Sequence, residues 1–154
     1  MNLEAVLKPE AIRAVGNPAS KKRVLQDIAA RAATVYGMDS EAVFSALQER
    51  ESLGPTGVGE GVAIPHARVD GIDSVCGVFF KLEKPVDYDS VDRQPVDLIF
   101  ALFAPHNSGV DHLKALACVS RLLRDPATRA KLRANDDESI LYAILTESAA
   151  SRAA

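Results

Sequence analysis

Three residues in this chain have the types and spacing for group-transfer chemistry: Arg50, His66 and His112. His66 ends the stretch Gly57-Val-Gly-Glu-Gly-Val-Ala-Ile-Pro-His66, in which glycines at alternate positions open onto a short apolar run. Glycine at that density frees the backbone for positive φ and leaves N–H groups uncovered, which suits an approaching anion. Val62-Ala63-Ile64 reads as a buried strand end, and Pro65 lacks the donor that would continue the ladder. His66 is thereby delivered, rigidly held, to the rim of a sheet. A neutral imidazole nitrogen is nucleophilic near neutral pH, provided the other ring nitrogen is fixed as a donor. Such a histidine can capture a phosphoryl group as a labile phosphoramidate and pass it on. The same residue could also merely hydrogen-bond at a strand end.

His112 falls in the first turn of an expected helix, with Ser108 or Asp111 as its cap, where negative charge is favoured and a ring N–H can donate to a phosphoryl oxygen. On spacing alone it could equally be an ordinary amphipathic-helix residue. Arg50, at the end of another helix, offers either a complement to that helix C-terminus or a planar fork of donors for transferred charge. Thr56, Gly57, Gly59 and Gly61 form a candidate phosphate-contacting loop. The spacing fits neither a Walker A loop nor a dinucleotide fingerprint, and a bulged hairpin edge is the competing reading. His106 reads as an exposed turn residue. Asp87, Asp89, Asp92 and Asp97 read as a solvated acidic surface without the pattern of a calcium loop.

The elements that must position these residues follow from periodicity. Ile12 to Val15 suggests a short edge strand. Ser20 caps a helix with the apolar face Val24, Leu25, Ile28, Ala29, Ala32 and Val35, stopped at Gly37. Asp39 caps a second helix through Val43, Phe44 and Leu47 that runs out near Arg50 to Ser52. Val75 to Leu82 and Val96 to Ala104 are nearly continuous apolar runs, as expected of central strands covered on both faces. The segment from Pro85 to Pro95 between them reads as turn-rich. From Val110 a helix with His112, Leu116, Val119 and Leu123 along one side, and Leu113 adjoining, runs to Asp125. Pro126 then opens another. Asp136 or Asp137 caps a last helix burying Ile140, Leu141, Ile144 and Leu145, and Ser148 to Ala154 reads as a frayed tail. The expected fold is a single α/β domain spanning 1–154, with one mixed β-sheet sandwiched between helices on both faces.

Composition narrows the function class. Hydrophobic residues make up 47% of the 154 residues, charged residues 25%, and the net charge is −3. That balance, with a pI near 5.6, argues against nucleic-acid binding. No apolar run approaches the roughly 18–20 residues of a membrane span, and the N-terminus does not read as a signal peptide. Cys76 and Cys118 have neither metal-ligand spacing nor a secretory context, so a cytoplasmic protein with free buried thiols is expected. No cofactor is expected. A metal site built from His66, His106 and His112 would lack both helical i, i+4 spacing and cysteine ligands.

The segment from Arg50 to Arg68, with its Gly-rich loop ending in Ile64-Pro65-His66, closely resembles the phosphorylation-site signature of the fructose/mannitol-type enzyme IIA family of the bacterial phosphotransferase system. Gln94-Pro-Val-Asp-Leu-Ile-Phe-Ala-Leu102 and Asp111-His-Leu-Lys-Ala-Leu-Ala117 are similar to later blocks of that family, and the likeness covers about residues 5–147. The resemblance implies that His66 accepts phosphate on Nε2 from a small histidine phosphocarrier protein, with His112 and Arg50 assisting. The length looks most like the nitrogen-regulatory branch, whose members bind different partners when phosphorylated and when free. Glu60, by contrast, is reminiscent of sugar-transport members, which would pass phosphate to a IIB cysteine. Both downstream readings stay open on the sequence.

Overall fold

The structure is a computed structural model and describes residues 1–153. Helix α1 (Leu3–Val6) and a 3-10 turn (Pro9–Ala11) lead into β1 (Ile12–Val15). Then follow α2 (Lys21–Tyr36), α3 (Ser40–Ser52), β2 (Gly57–Gly59), β3 (Val62–Ala63), β4 (His66–Arg68), β5 (Cys76–Val86) and β6 (Val96–Ala104). The chain ends with α4 (Val110–Arg124), α5 (Pro126–Arg133) and α6 (Glu138–Ala153). The caps obey local chemistry. Ser20, Asp39 and Asp125 each accept a backbone N–H in the first turn of α2, α3 and α5, and Gly37 closes α2 at φ 74°.

The six strands form one mixed sheet, five of them in the order β1-β5-β6-β3-β2 and the sixth, β4, paired with β6. Strands β5 and β6 are antiparallel at its centre, with Phe79 opposite Phe100 and Phe80 opposite Ile99. Their apolar runs are buried almost throughout, as central strands covered on both faces require. Phe79 and Phe100 meet edge-on, ring centroids 6.0 Å apart, a geometry that adds about 0.5–1.5 kcal/mol to the area they bury. Helices α2 and α3 pack together on one side of the sheet, while α4, α5 and α6 form a second group with α1.

The far side of β6 is occupied twice: β3 runs parallel beside Leu98 and Ile99, and β4 beside Leu102 to Ala104. Pro65 sits between them. Its carbonyl accepts the Leu102 N–H at 2.9 Å, so sheet pairing resumes at His66 instead of stopping at the proline as expected. The proline removes one donor without ending the ladder, because its carbonyl is still available.

Other expectations need correction. Strand β5 runs on through Pro85 to Val86, which pairs with Val96 after a register shift. Helix α4 is capped at Gly109, without a side-chain cap from Ser108 or Asp111; Ser108 Oγ accepts from Arg68 instead. Its buried face is His112, Ala115, Val119, Leu122 and Leu123, while Leu113 is 64% exposed. Asp137 caps α6, but Ile140 is 43% exposed, and the helix continues through the stretch read as frayed, with Ala149 buried. Ala154 lies outside the described residues. At the sheet margin, the outward N–H of Ala14 in β1 donates to Glu138 Oε2 in the first turn of α6, at 3.0 Å.

Candidate functional site

His66 opens β4, and its ring is partly exposed. Its Nδ1 lies 2.9 Å from the carbonyl oxygen of Ile64. A carbonyl only accepts, so Nδ1 carries the proton and Nε2 keeps its lone pair. Burial, above all, holds the ring below the ordinary histidine pKa; Arg50 pushes the same way, against the Ile64 bond and Glu51. The imidazole is therefore neutral and nucleophilic near pH 7.

His112 stands in the first turn of α4, its ring centroid 5.7 Å from that of His66. The residue is 7% exposed, and its Nδ1 is buried without a hydrogen-bond partner. Burial, with His66 and Arg68 nearby, depresses its pKa too. With Nδ1 sealed, the favoured neutral tautomer carries its proton on Nε2, because an unpartnered buried N–H costs more than an unpartnered lone pair. Arg50 lies in the last turn of α3, where Nη1 donates to the Gly54 carbonyl at 3.0 Å. That contact closes the turn and keeps the guanidinium near enough to act on His66. The fold thus brings His66, His112 and Arg50, far apart in sequence, to one place.

The loop residues are occupied by protein. Thr56 is buried, with its hydroxyl on the Glu51 carboxylate. Strands β2 and β3 form a hairpin with an irregularity between Gly57 and Gly59, the alternative that the spacing had left open. A Cβ on Gly57 would lie 2.5 Å from Ser90 Oγ. One on Gly61, at φ 76°, would meet Arg133 Nη2 and stand 2.9 Å from Asp97 Oδ1. Close packing therefore accounts for both glycines. His106 is exposed, with its ring 3.0 Å from Asp70. Among the described residues no group of three or more His, Cys, Asp or Glu side chains is placed to hold a metal ion. Asp97 does not belong to a solvated acidic surface: it takes a two-pronged bond from Arg133.

Two further residues escape motif reading. Arg68 lies two positions along β4 from His66, on the same side of the strand. It donates to the carbonyls of Pro105 and His106 and to Ser108 Oγ at 3.2–3.4 Å, fixing the loop that leads into His112. Alternation was the signal available. Glu51 is a buried acid at a helix C-terminus, where the dipole disfavours it, and that misfit was the clue.

The family model described as "Phosphoenolpyruvate-dependent sugar phosphotransferase system, EIIA 2" matches residues 5–148. A protein named "Nitrogen regulatory protein" from Bradyrhizobium diazoefficiens is 47% identical over 145 residues, covering 94% of this chain and 95% of that one. The crystal structure of nitrogen regulatory protein IIA-Ntr from Neisseria meningitidis superposes with a TM-score of 0.85 at 33% identity, over 92% of this chain and 97% of that one. IIA mannitol from Escherichia coli shares the fold, with a TM-score of 0.75 at 22% identity, covering 90% of this chain and 97% of that one. Among the described residues no helix is long and apolar enough to cross a membrane. A likeness spanning nearly all of both partners, in sequence and in three dimensions, leaves one assignment: the chain belongs to the type-2 enzyme IIA family of the phosphotransferase system, and within it is most like the nitrogen-regulatory proteins.

Proposed function

We propose that this protein accepts a phosphoryl group on Nε2 of His66 from a histidine phosphocarrier protein, and that its phosphorylated and free forms bind different regulatory partners in the cytoplasm. The observation carrying the reading is the bond from His66 Nδ1–H to the Ile64 carbonyl, which leaves Nε2 unprotonated on a partly exposed residue. In the transfer the Nε2 lone pair forms a bond to phosphorus as the donor's P–N bond breaks, its electron pair leaving with the donor imidazole. Nδ1 keeps its proton, so the ring takes on imidazolium character while the phosphoryl oxygens carry the negative charge. His112 Nε2–H and Arg50 meet those oxygens. Phosphoryl transfer needs little from a protein beyond such positioning and charge stabilisation.

Exposed apolar residues adjoin the helpers in sequence: Leu53 follows Arg50 closely, and Val110 and Leu113 flank His112. They are suited to docking a small carrier protein. The regulatory half of the reading draws on the names of the relatives, and on the charge that phosphate brings beside Arg50 and Arg68.

Incubation with phosphoenolpyruvate, the upstream kinase and its phosphocarrier is expected to add one acid-labile phosphate. His66→Ala is expected to reduce labelling to background. Acid-stable phosphate, or labelling that survives the substitution, contradicts the reading. Onward passage of the label to a IIB cysteine would assign the protein to transport instead of regulation.

A further inference from the structure

Glu51 follows Arg50 in the last turn of α3, and its side chain is only 6% exposed. A carboxylate so placed is opposed both by the helix dipole and by desolvation unless donors surround it. Four do. Lys21 Nζ, from the start of α2, lies 2.8 Å from Oε2, and the Thr56 backbone N–H donates to the same oxygen at 3.0 Å. The hydroxyls of Thr56 and Tyr88 both donate to Oε1, the latter at 3.2 Å. Lys21 Nζ also stands 4.4 Å from the centre of the Tyr88 ring. One carboxylate therefore ties together α2, α3, the β5–β6 connection and the segment entering the glycine loop.

The contacts continue from Thr56 to the nucleophile. Its carbonyl accepts the Ile64 N–H at 3.0 Å, and the Ile64 carbonyl accepts His66 Nδ1–H at 2.9 Å. Each bond fixes the backbone on which the next acceptor sits, so the series is mechanical: displacing Thr56 moves Ile64, and moving Ile64 frees the ring. We infer that Glu51, held by Lys21, is a positioning residue for His66, anchoring Thr56 and through it the Ile64 carbonyl that selects the Nδ1–H tautomer and aims Nε2 outward. This inference rests on the phosphoryl-acceptor reading of His66. The charge of Glu51 works in the same direction. Two charged groups act on the His66 ring: Arg50 opposes a positive ring, and Glu51 is the anion that favours one. Phosphorylation at Nε2 with Nδ1–H retained makes the ring positive, which Glu51 then stabilises.

The test uses the full chain and replaces the ion pair as a unit, Lys21→Met with Glu51→Leu, so that no lone charge stays buried and no acceptor for the Thr56 N–H remains. Nitrogen-15 NMR of the His66 ring is expected to show loss of the dominant Nδ1–H tautomer and a lower ring pKa. Phosphoryl acceptance is expected to slow roughly ten- to a hundredfold, as for a slightly misplaced nucleophile, with the concentration of carrier needed for half-maximal rate unchanged. Thr56→Val keeps the backbone N–H and carbonyl, and is expected to preserve the tautomer. A merely structural ion pair would lower the melting temperature and leave the ring untouched, so an unchanged tautomer or an unchanged rate in the double variant overturns the inference. If the unsubstituted protein takes no phosphate, the acceptor reading falls, and the tautomer alone decides whether Glu51 anchors the ring.

Discussion

Two polar clusters in this molecule are built to opposite standards. Around α5, Arg133 grips Asp97 with two bonds of 2.9–3.0 Å and also donates to the Glu60 carbonyl. Beside it, the buried Lys81 ammonium uses all three donors, on the carbonyls of Arg133 and Asn135 and on Asp136. Between the ends of α3 and α4 the accounting is incomplete. His112 Nδ1 is buried and unpartnered, and His66 has a single bond, through Nδ1. Buried polar groups are normally satisfied, so the second cluster departs from the rule that the first one follows. The first cluster holds the glycine loop to the helices; the second is the place of the phosphoryl acceptor proposed above.

That contrast can be broken by substitutions on either side. Arg50→Ala should have the largest consequence on the unsatisfied side, slowing phosphoryl acceptance on the order of a hundredfold, as loss of one charge-stabilising donor does elsewhere. Its denaturant midpoint should barely move; equal loss of stability would place Arg50 with the structural cluster. Gly61→Ala should do the reverse. Its Cβ would displace Arg133 and strain a left-handed backbone, costing about 1–3 kcal/mol in chemical denaturation. Unchanged stability there would show that the Arg133 clamp is dispensable.

The smallest effect expected is that of pH. Both ring pKa values are lowered in the folded state. Below the ordinary histidine value the unfolded chain therefore binds more protons than the native one, and stability falls as the medium is acidified through about pH 6.5. Acceptance of phosphate should persist below that point, until the depressed pKa of His66 is reached. A rate that already declines at the ordinary value would mean that the ring is solvated.

How much of this was legible beforehand differs by element. Strand β6 could be bounded from its apolar run, and the Ser20, Gly37 and Asp125 signals are local chemistry that tertiary structure leaves alone. The rotation of α4 was not legible, because the pairing of Ser108 with Arg68 is set by strand β4, forty residues away. Tyr88 is fully buried within a run of aspartates, and no periodicity announces a single aromatic folded back beneath a loop. For the site, His66 was visible because its specialised backbone is encoded nearby. Glu51 was obscured because its partners come from three other segments. Of the two cysteines expected to be free and buried, Cys76 is buried, which pushes its pKa up to about 12, whereas Cys118 is only partly buried.

The bond between Ala14 and Glu138 bears on how the protein behaves in a crowd of its own copies. An outer strand with free amides is a template for a neighbour's strand, and repeated addition leads to fibres. By occupying one of those amides with a carboxylate from α6, which also lies 3.5 Å from Arg13 Nε, the molecule withdraws part of that template. A second copy then finds one fewer amide on which to add its own strand at the β1 end of the sheet.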